Sequence, residues 1–251
     1  MATSKLSVCG PALIEKAKAA ANSPADFAHC TGSVWLAAPR SERRADTVRS
    51  GIFPSELRFI AWFIPSQPSS SSRILGVRMA GEHPVGGKST FLYAAEYARQ
   101  HDHGANPRSF GLDYWLIEPG VKTGPLTFKA GYERLEGNGT VGLQTPLATL
   151  HAFNGWADKF LTTPANGLRD AYLDASYKVP GMGALAGLTL RAAWHDYGST
   201  VGGIAYGREW NALASYPLDK RFTLTAKLAR YEADAFATDT TKLWFQVEAK
   251  F

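Results

Sequence analysis

From Arg73 onward, apolar and polar side chains alternate in stretches of about 8 to 12 residues between turn signals, the pattern of half-buried β-strands. Nine such stretches can be drawn, at 73–84, 89–101, 111–119, 126–136, 168–179, 187–197, 208–217, 222–232 and 240–251. Successive side chains on a strand point to opposite faces, so each stretch sorts into two sets. In the last one Leu243, Phe245, Val247, Ala249 and Phe251 oppose Lys242, Gln246, Glu248 and Lys250. Phe222, Leu224, Ala226 and Leu228 oppose Thr223, Thr225 and Lys227 in the same way. Leu188, Leu190, Ala192 and Trp194 oppose Thr189, Arg191 and His195, and Ala171, Leu173, Ala175 and Tyr177 oppose Asp170, Tyr172, Asp174, Ser176 and Lys178.

A soluble β-barrel or sandwich that binds a ligand alternates too, so the links between strands carry the next step. Tight links at 85–88, 120–125, 180–186 and 217–221 are interleaved with longer ones at 102–110, 137–167, 198–207 and 233–239. That asymmetry belongs to outer-membrane barrels, with short turns on one side and long loops on the other. Tyr93, Tyr97, Tyr132, Tyr177, Trp194, Trp210, Tyr216, Phe222 and Phe251 fall toward strand ends, where interfacial girdles lie. The longest apolar run, Phe59 to Ile64, is far shorter than the roughly 18 to 20 residues of a membrane-crossing helix. The mean hydropathy of -0.18 is compatible with crossing by strands. The expected fold is therefore all-β, an antiparallel up-and-down transmembrane β-barrel. Nine is an odd count, whereas bacterial single-chain barrels have even strand numbers. Either one more strand lies upstream or the chain is the C-terminal part of a larger barrel, and the second reading is favoured. A soluble protein would bury the apolar face; a membrane barrel would turn it outward.

Residues 1–73 follow no sustained period and end in the serine run Ser69 to Ser72, so an irregular or weakly folded segment is expected there and the barrel from 74 to 251. It is either a disordered tail or the product of a misplaced start, with the true leader and earlier strands missing. The first residues form no clean apolar core with a cleavage site, so no signal peptide is evident. The net charge of +5 is concentrated at this end: residues 1–75 hold nine Lys/Arg against five Asp/Glu, and residues 76–251 hold eighteen against seventeen. A near-neutral remainder is no footprint for nucleic acid. Cys9 and Cys30 also lie in the first segment, which excludes a disulfide framework or cysteine cluster from the rest.

The chemical motifs all have plainer readings. Gly81-Glu82-His83-Pro84-Val85-Gly86-Gly87-Lys88-Ser89 resembles a phosphate-binding loop but has five residues between Gly81 and Gly87 where four are needed; a tight hairpin explains the glycines. His101-Asp102-His103 lacks the partners of a closed metal site and reads as a polar loop. His151, Asp158, His195 and Ser176 contain no serine in a Gly-x-Ser-x-Gly turn. No enzyme, cofactor or metal is expected. The long link 137–167 carries a partial apolar stripe after Thr145-Pro146, at Leu147, Leu150, Phe153 or Asn154, Ala157 and Phe160. It either folds inward as a constriction, with Trp156, Asp158, Lys159 and Arg169 facing solute, or packs on the rim.

The final stretch, Leu243-Trp244-Phe245-Gln246-Val247-Glu248-Ala249-Lys250-Phe251, resembles the C-terminal assembly signal of outer-membrane barrels. The segment from Gln144 to Phe160, followed by Thr163-Pro164-Ala165-Asn166-Gly167-Leu168-Arg169-Asp170, resembles the late loop-to-strand region of the alginate export family of porins. The resemblance covers about residues 74–251. It implies a location in the bacterial outer membrane and passive transport of hydrophilic, including anionic, solutes. It also implies outer-membrane lipid, the solute and the barrel assembly machinery, met through the C-terminal strand, as partners. Alginate itself does not follow, because the inferred lumen pairs Arg78, Lys129, Lys178, Arg191 and Lys227 with Glu82, Glu96, Asp170, Asp174 and Glu209. The oligomeric state is not encoded in these patterns.

Overall fold

A computed structural model describes residues 55–62, 68–145, 154–181 and 183–250. Their strands are β1 (Ser55–Trp62), β2 (Ser72–Gly86), β3 (Ser89–Asp102), β4 (Gly111–Thr123), β5 (Leu126–Leu135), β6 (Leu168–Lys178), β7 (Thr189–Gly198), β8 (Ala205–Pro217), β9 (Phe222–Ala233) and β10 (Thr240–Ala249). They form one ten-stranded sheet in sequence order, every neighbour antiparallel, so each strand pairs with the one before it and the one after it. The nine stretches read from the alternation correspond to β2 through β10.

Two expectations need correction. The sheet does not begin at residue 73: β1 lies inside the segment expected to be irregular and pairs with β2 from Ser55↔Met79 to Trp62↔Ser72. Its core, Leu57-Arg58-Phe59-Ile60-Ala61-Trp62, is too short to show a period, and only pairing with β2 makes it a strand. The links also alternate less cleanly than expected. Residues 87–88, 124–125 and 218–221 are tight, but 179–188 is longer than 199–204 at the opposite end. Pairing there continues past the strand ends, with Val179 N–H donating to Leu188 O and Gly187 N–H to Val179 O.

The sheet is curled, and the link between β5 and β6 shows its sense. Gln144 N–H donates to the Gln100 side chain on β3, while Asp158 accepts from Lys242 on β10. One segment can touch both strands on the same face only if the sheet wraps around it. The inner face of that end packs Leu112, Tyr114, Leu135, Leu168, Tyr197 and Tyr231 against Val141, Leu143, Trp156 and Phe160 of the link, forming a single apolar cluster.

The alternating face that carries Leu, Val, Phe and Trp is therefore the convex one. Leu75, Ile117, Phe128, Leu173, Trp210, Leu228, Leu243 and Val247 are exposed on it, and Phe245 is 80% exposed. A soluble barrel would bury these side chains. Between the aromatic rows at its two ends this face holds no charged residue on any strand from β2 to β10. On β4 it runs from Trp115 through Ile117 and Pro119 to Val121, roughly 20 Å of strand at about 3.4 Å per residue. Among the described residues β1 and β10 each pair on one side only, so the sheet is open.

Candidate functional site

The concave wall is polar, and its charges are arranged by height. At the end carrying the long link, Glu133, Asp170 and Glu209 are buried beneath residues 154–160 and act as anchors for them. Asn154 Nδ2 donates to Glu133 Oε2 at 2.5 Å and to Asp170 Oδ2 at 3.2 Å. Glu209 Oε1 accepts the backbone N–H groups of Trp156 at 2.5 Å and of Ala157 at 2.8 Å. Tyr114 donates to Glu133 Oε1 at 2.7 Å, and His195 Nδ1 lies 2.9 Å from Asp170 Oδ1. Each of these buried carboxyls accepts at least one hydrogen bond, as buried polar groups generally do; Glu209 Oε2 is left without a partner among the described residues.

Gly155 makes this turn possible. Its φ is 86°, between Asn154 at 50° and Asp158 at 60°, and a Cβ there would fall on the Tyr197 hydroxyl and the Glu209 carboxyl. The link thus folds inward over residues 154–160 rather than lying on the rim, and its apolar side chains pack against the concave face at that end of the sheet.

Below the anchors the wall turns cationic. Arg191 and Lys227 approach the Trp156 ring at 5.5 Å and 4.6 Å from its centroid, the geometry of cation–π contacts. Lys242 Nζ donates to Asp158 Oδ2 at 2.7 Å. The strand register places Lys122, Thr127, Ser176, Arg191, Leu213, Lys227 and Trp244 in one continuous cross-strand row, with three cations and no acid. Arg191 also reaches sideways to Asp174 at 2.5 Å, and Lys129 to Glu118 at 2.9 Å. Lys178 follows one step further toward the short-link end, beside Thr189, and both border a cavity that also takes in Lys122, Thr127 and Ser176.

Arg78, Lys129, Lys178, Arg191, Lys227 and Asp170 thus all lie on the concave face. Arg78 is buried in a 2.9 Å pair with Glu96 and offers no free charge. Trp156 is buried, while Asp158 and Lys159 are half-buried beside it, Lys159 over the Tyr231 ring. Arg169 requires a correction: it shares the parity of Ala171 and Leu173, and its guanidinium lies on the convex side across Gly198. Lys122 and Lys242 share this face. Lys242 sorts there with Gln246 and Glu248, while Lys122 lies past Pro119, where the stretch read from the alternation ends although β4 continues to Thr123.

The candidate chemical motifs separate in space. Gly86 and Gly87 have φ of 111° and 58° and close the β2–β3 hairpin. His195 contacts Asp170, whereas Asp158 contacts Lys242, and His151 lies outside the described residues. Among the described residues no group of three His, Cys, Asp or Glu could hold a metal.

No family model matches the chain, and no curated protein does. Solved structures do share the fold. The outer membrane protein OprD from Pseudomonas aeruginosa superposes with a TM-score of 0.61 at 13% identity, over 80% of this chain and 56% of that one. OpdK of the same organism, crystallised with vanillate, gives 0.59 at 15% identity, over 78% and 52%. OccAB4 from Acinetobacter baumannii gives 0.56 at 17% identity, over 77% and 49%. These neighbours are outer-membrane porins of the OprD and Occ type rather than alginate exporters, and this chain spans about half the length of each. The sheet, with its convex apolar face and inward-folded link, has the fold of part of an outer-membrane porin β-barrel.

Proposed function

We propose that this sheet forms part of the wall of an outer-membrane channel through which small hydrophilic anions cross passively. The observation that carries the proposal is the convex face, free of charge from β2 to β10 between its aromatic rows. Water gives such a surface no reason to persist, whereas lipid requires it. Lipid also tolerates no open sheet edge, so the lumen is completed when further strands pair with β1 and β10. The chain would reach this state through the assembly machinery that reads C-terminal strands, here β10.

The solute class rests on the row containing Lys122, Arg191 and Lys227, next to the narrowing made by Trp156. A permeating carboxylate exchanges water for these cations and for the hydroxyls of Thr127 and Ser176. Weak, repeated contacts of this kind allow entry without trapping. The alginate resemblance is kept only in this coarser form, because the same wall carries Glu118, Asp174 and Glu209. No catalytic step is assigned to the chain.

Two measurements test the reading. Membrane fractionation of cells expressing the chain should leave it in the outer membrane, resistant to alkaline extraction; recovery in the soluble fraction would sink the membrane assignment. In planar bilayers a salt gradient should give a reversal potential of anion-selective sign, reduced in Lys227→Gln and Arg191→Gln. A cation-selective sign would remove the anion assignment alone.

A further inference from the structure

Above the aromatic row at the long-link end, the convex face becomes rich in arginine. Arg99 pairs with Asp113 at 3.3 Å, Arg134 with Glu136 at 3.2 Å, and Arg208 with Asp196 at 3.3 Å. Arg169 breaks this pattern. It is exposed, forms no ion pair among the described residues, and sits directly opposite Arg134 in the β5–β6 register. Like charges facing each other across a strand pair are destabilising, and Glu136 balances only one of these two guanidinium groups, which leaves the pair short of one anion.

Two further observations say what that is. Trp115 is the register partner of Arg134 on β4, and Tyr132 lies next below Arg134 on β5. The two cations therefore stand just outside the aromatic row, at the height of lipid headgroups. Farther down the same face, Ala175, Ala192, Ala212, Ala214 and Ala226 line a shallow apolar groove of about 480 Å³, walled by Tyr177, Leu190 and Leu228. From Arg169 to Ala175 is roughly 20 Å along β6 at about 3.4 Å per residue, within reach of one extended acyl chain. We propose that Arg134 and Arg169 hold the phosphate of an anionic lipid whose acyl chain lies along β6 into the alanine groove. Arg169 supplies a free planar fork, and guanidinium groups bind phosphate in bidentate fashion.

This inference rests on the membrane reading above, and one experiment separates their failures. The chain is reconstituted into phosphatidylcholine vesicles doped with either phosphatidylglycerol or lipid A. Protection of its strands from trypsin reports insertion, and native mass spectrometry reports the lipids retained after extraction. The expected result is insertion with selective retention of the phosphate-bearing dopant, about fivefold weaker in Arg169→Gln and about thirtyfold weaker in the double variant with Arg134→Gln. Arg99→Gln, which removes a cation whose register partners are its own counterion Asp113 and Leu75 rather than a second arginine, should leave retention unchanged, and inorganic phosphate should not displace the lipid. Arg169→Lys keeps the charge and controls for misfolding. Insertion without selective retention, or an equal loss in Arg99→Gln, overturns the lipid site alone; loss of trypsin protection in the unmodified chain overturns the membrane reading along with it.

Discussion

Of the three carboxyls that anchor the narrowing inside the sheet, Glu209 holds two backbone groups at once, and its removal has a calculable effect. Glu209 is fully buried, and its Oε1 is the acceptor for two backbone N–H groups, those of Trp156 and Ala157. In Glu209→Ala both donors lose their acceptor. A buried unsatisfied donor costs about 1–3 kcal/mol, so holding residues 154–160 inward becomes about 2–6 kcal/mol less favourable. Water entering the lumen relieves part of this, which makes the lower bound the safer figure. At about 1.4 kcal/mol per tenfold, 2 kcal/mol raises the fraction of released link about 30-fold. Glu209→Gln keeps an acceptor oxygen in the same place and should move the equilibrium far less. Two assays read it: trypsin cleavage after Lys159, which is half-buried against Tyr231, and single-channel conductance, which should rise when Trp156 leaves the lumen. If Glu209→Ala leaves cleavage and conductance unchanged, or if Gln behaves like Ala, the carboxyl is not the latch.

Three shorter predictions follow from the same geometry. Gly155→Ala places a Cβ on the Tyr197 hydroxyl and the Glu209 carboxyl at a φ of 86°; it should lower thermal stability by the equivalent of about 1–3 kcal/mol, measured as a shift in the melting of β structure. Lys242→Glu turns the 2.7 Å contact with Asp158 into a repulsion; the half-exposed pair contributes at most about 1 kcal/mol, so the link stays in place while the reversal potential moves toward cations. Phe245→Arg on the convex face should cost about 2–4 kcal/mol if its site lies near the bilayer midplane, seen as reduced folding into vesicles. Thr225→Arg, on the concave face of the neighbouring strand, should fold normally; equal tolerance of the two would mean that the convex face does not meet lipid.

Much of this architecture is carried by local pattern. A period of two needs only consecutive residues, so β2 through β10 and the division of Asp170, Arg191 and Lys227 from Leu173, Leu190 and Leu228 can be read directly from the chain. The same rule, applied strictly, puts Arg169 with Ala171 on the convex face and Lys122 with Glu118 on the concave one, where the register holds them. Weak local signals fail: β1 has too few alternations to stand out and becomes a strand through its pairing with β2.

What alternation leaves undetermined is the direction in which the sheet curls, since either face of an alternating strand can be the inner one. That direction comes from contacts between residues far apart in sequence. Gln100 meets Gln144, Glu209 meets Trp156, and Lys242 meets Asp158 across 84 positions, and together they draw residues 154–160 into the concave side. The row joining Lys122, Arg191 and Lys227 likewise exists only once the register of six strand pairs is known. The sequence determined which side chains share a face; the tertiary structure decided which face is concave, because curvature is set by long-range packing that no local period encodes.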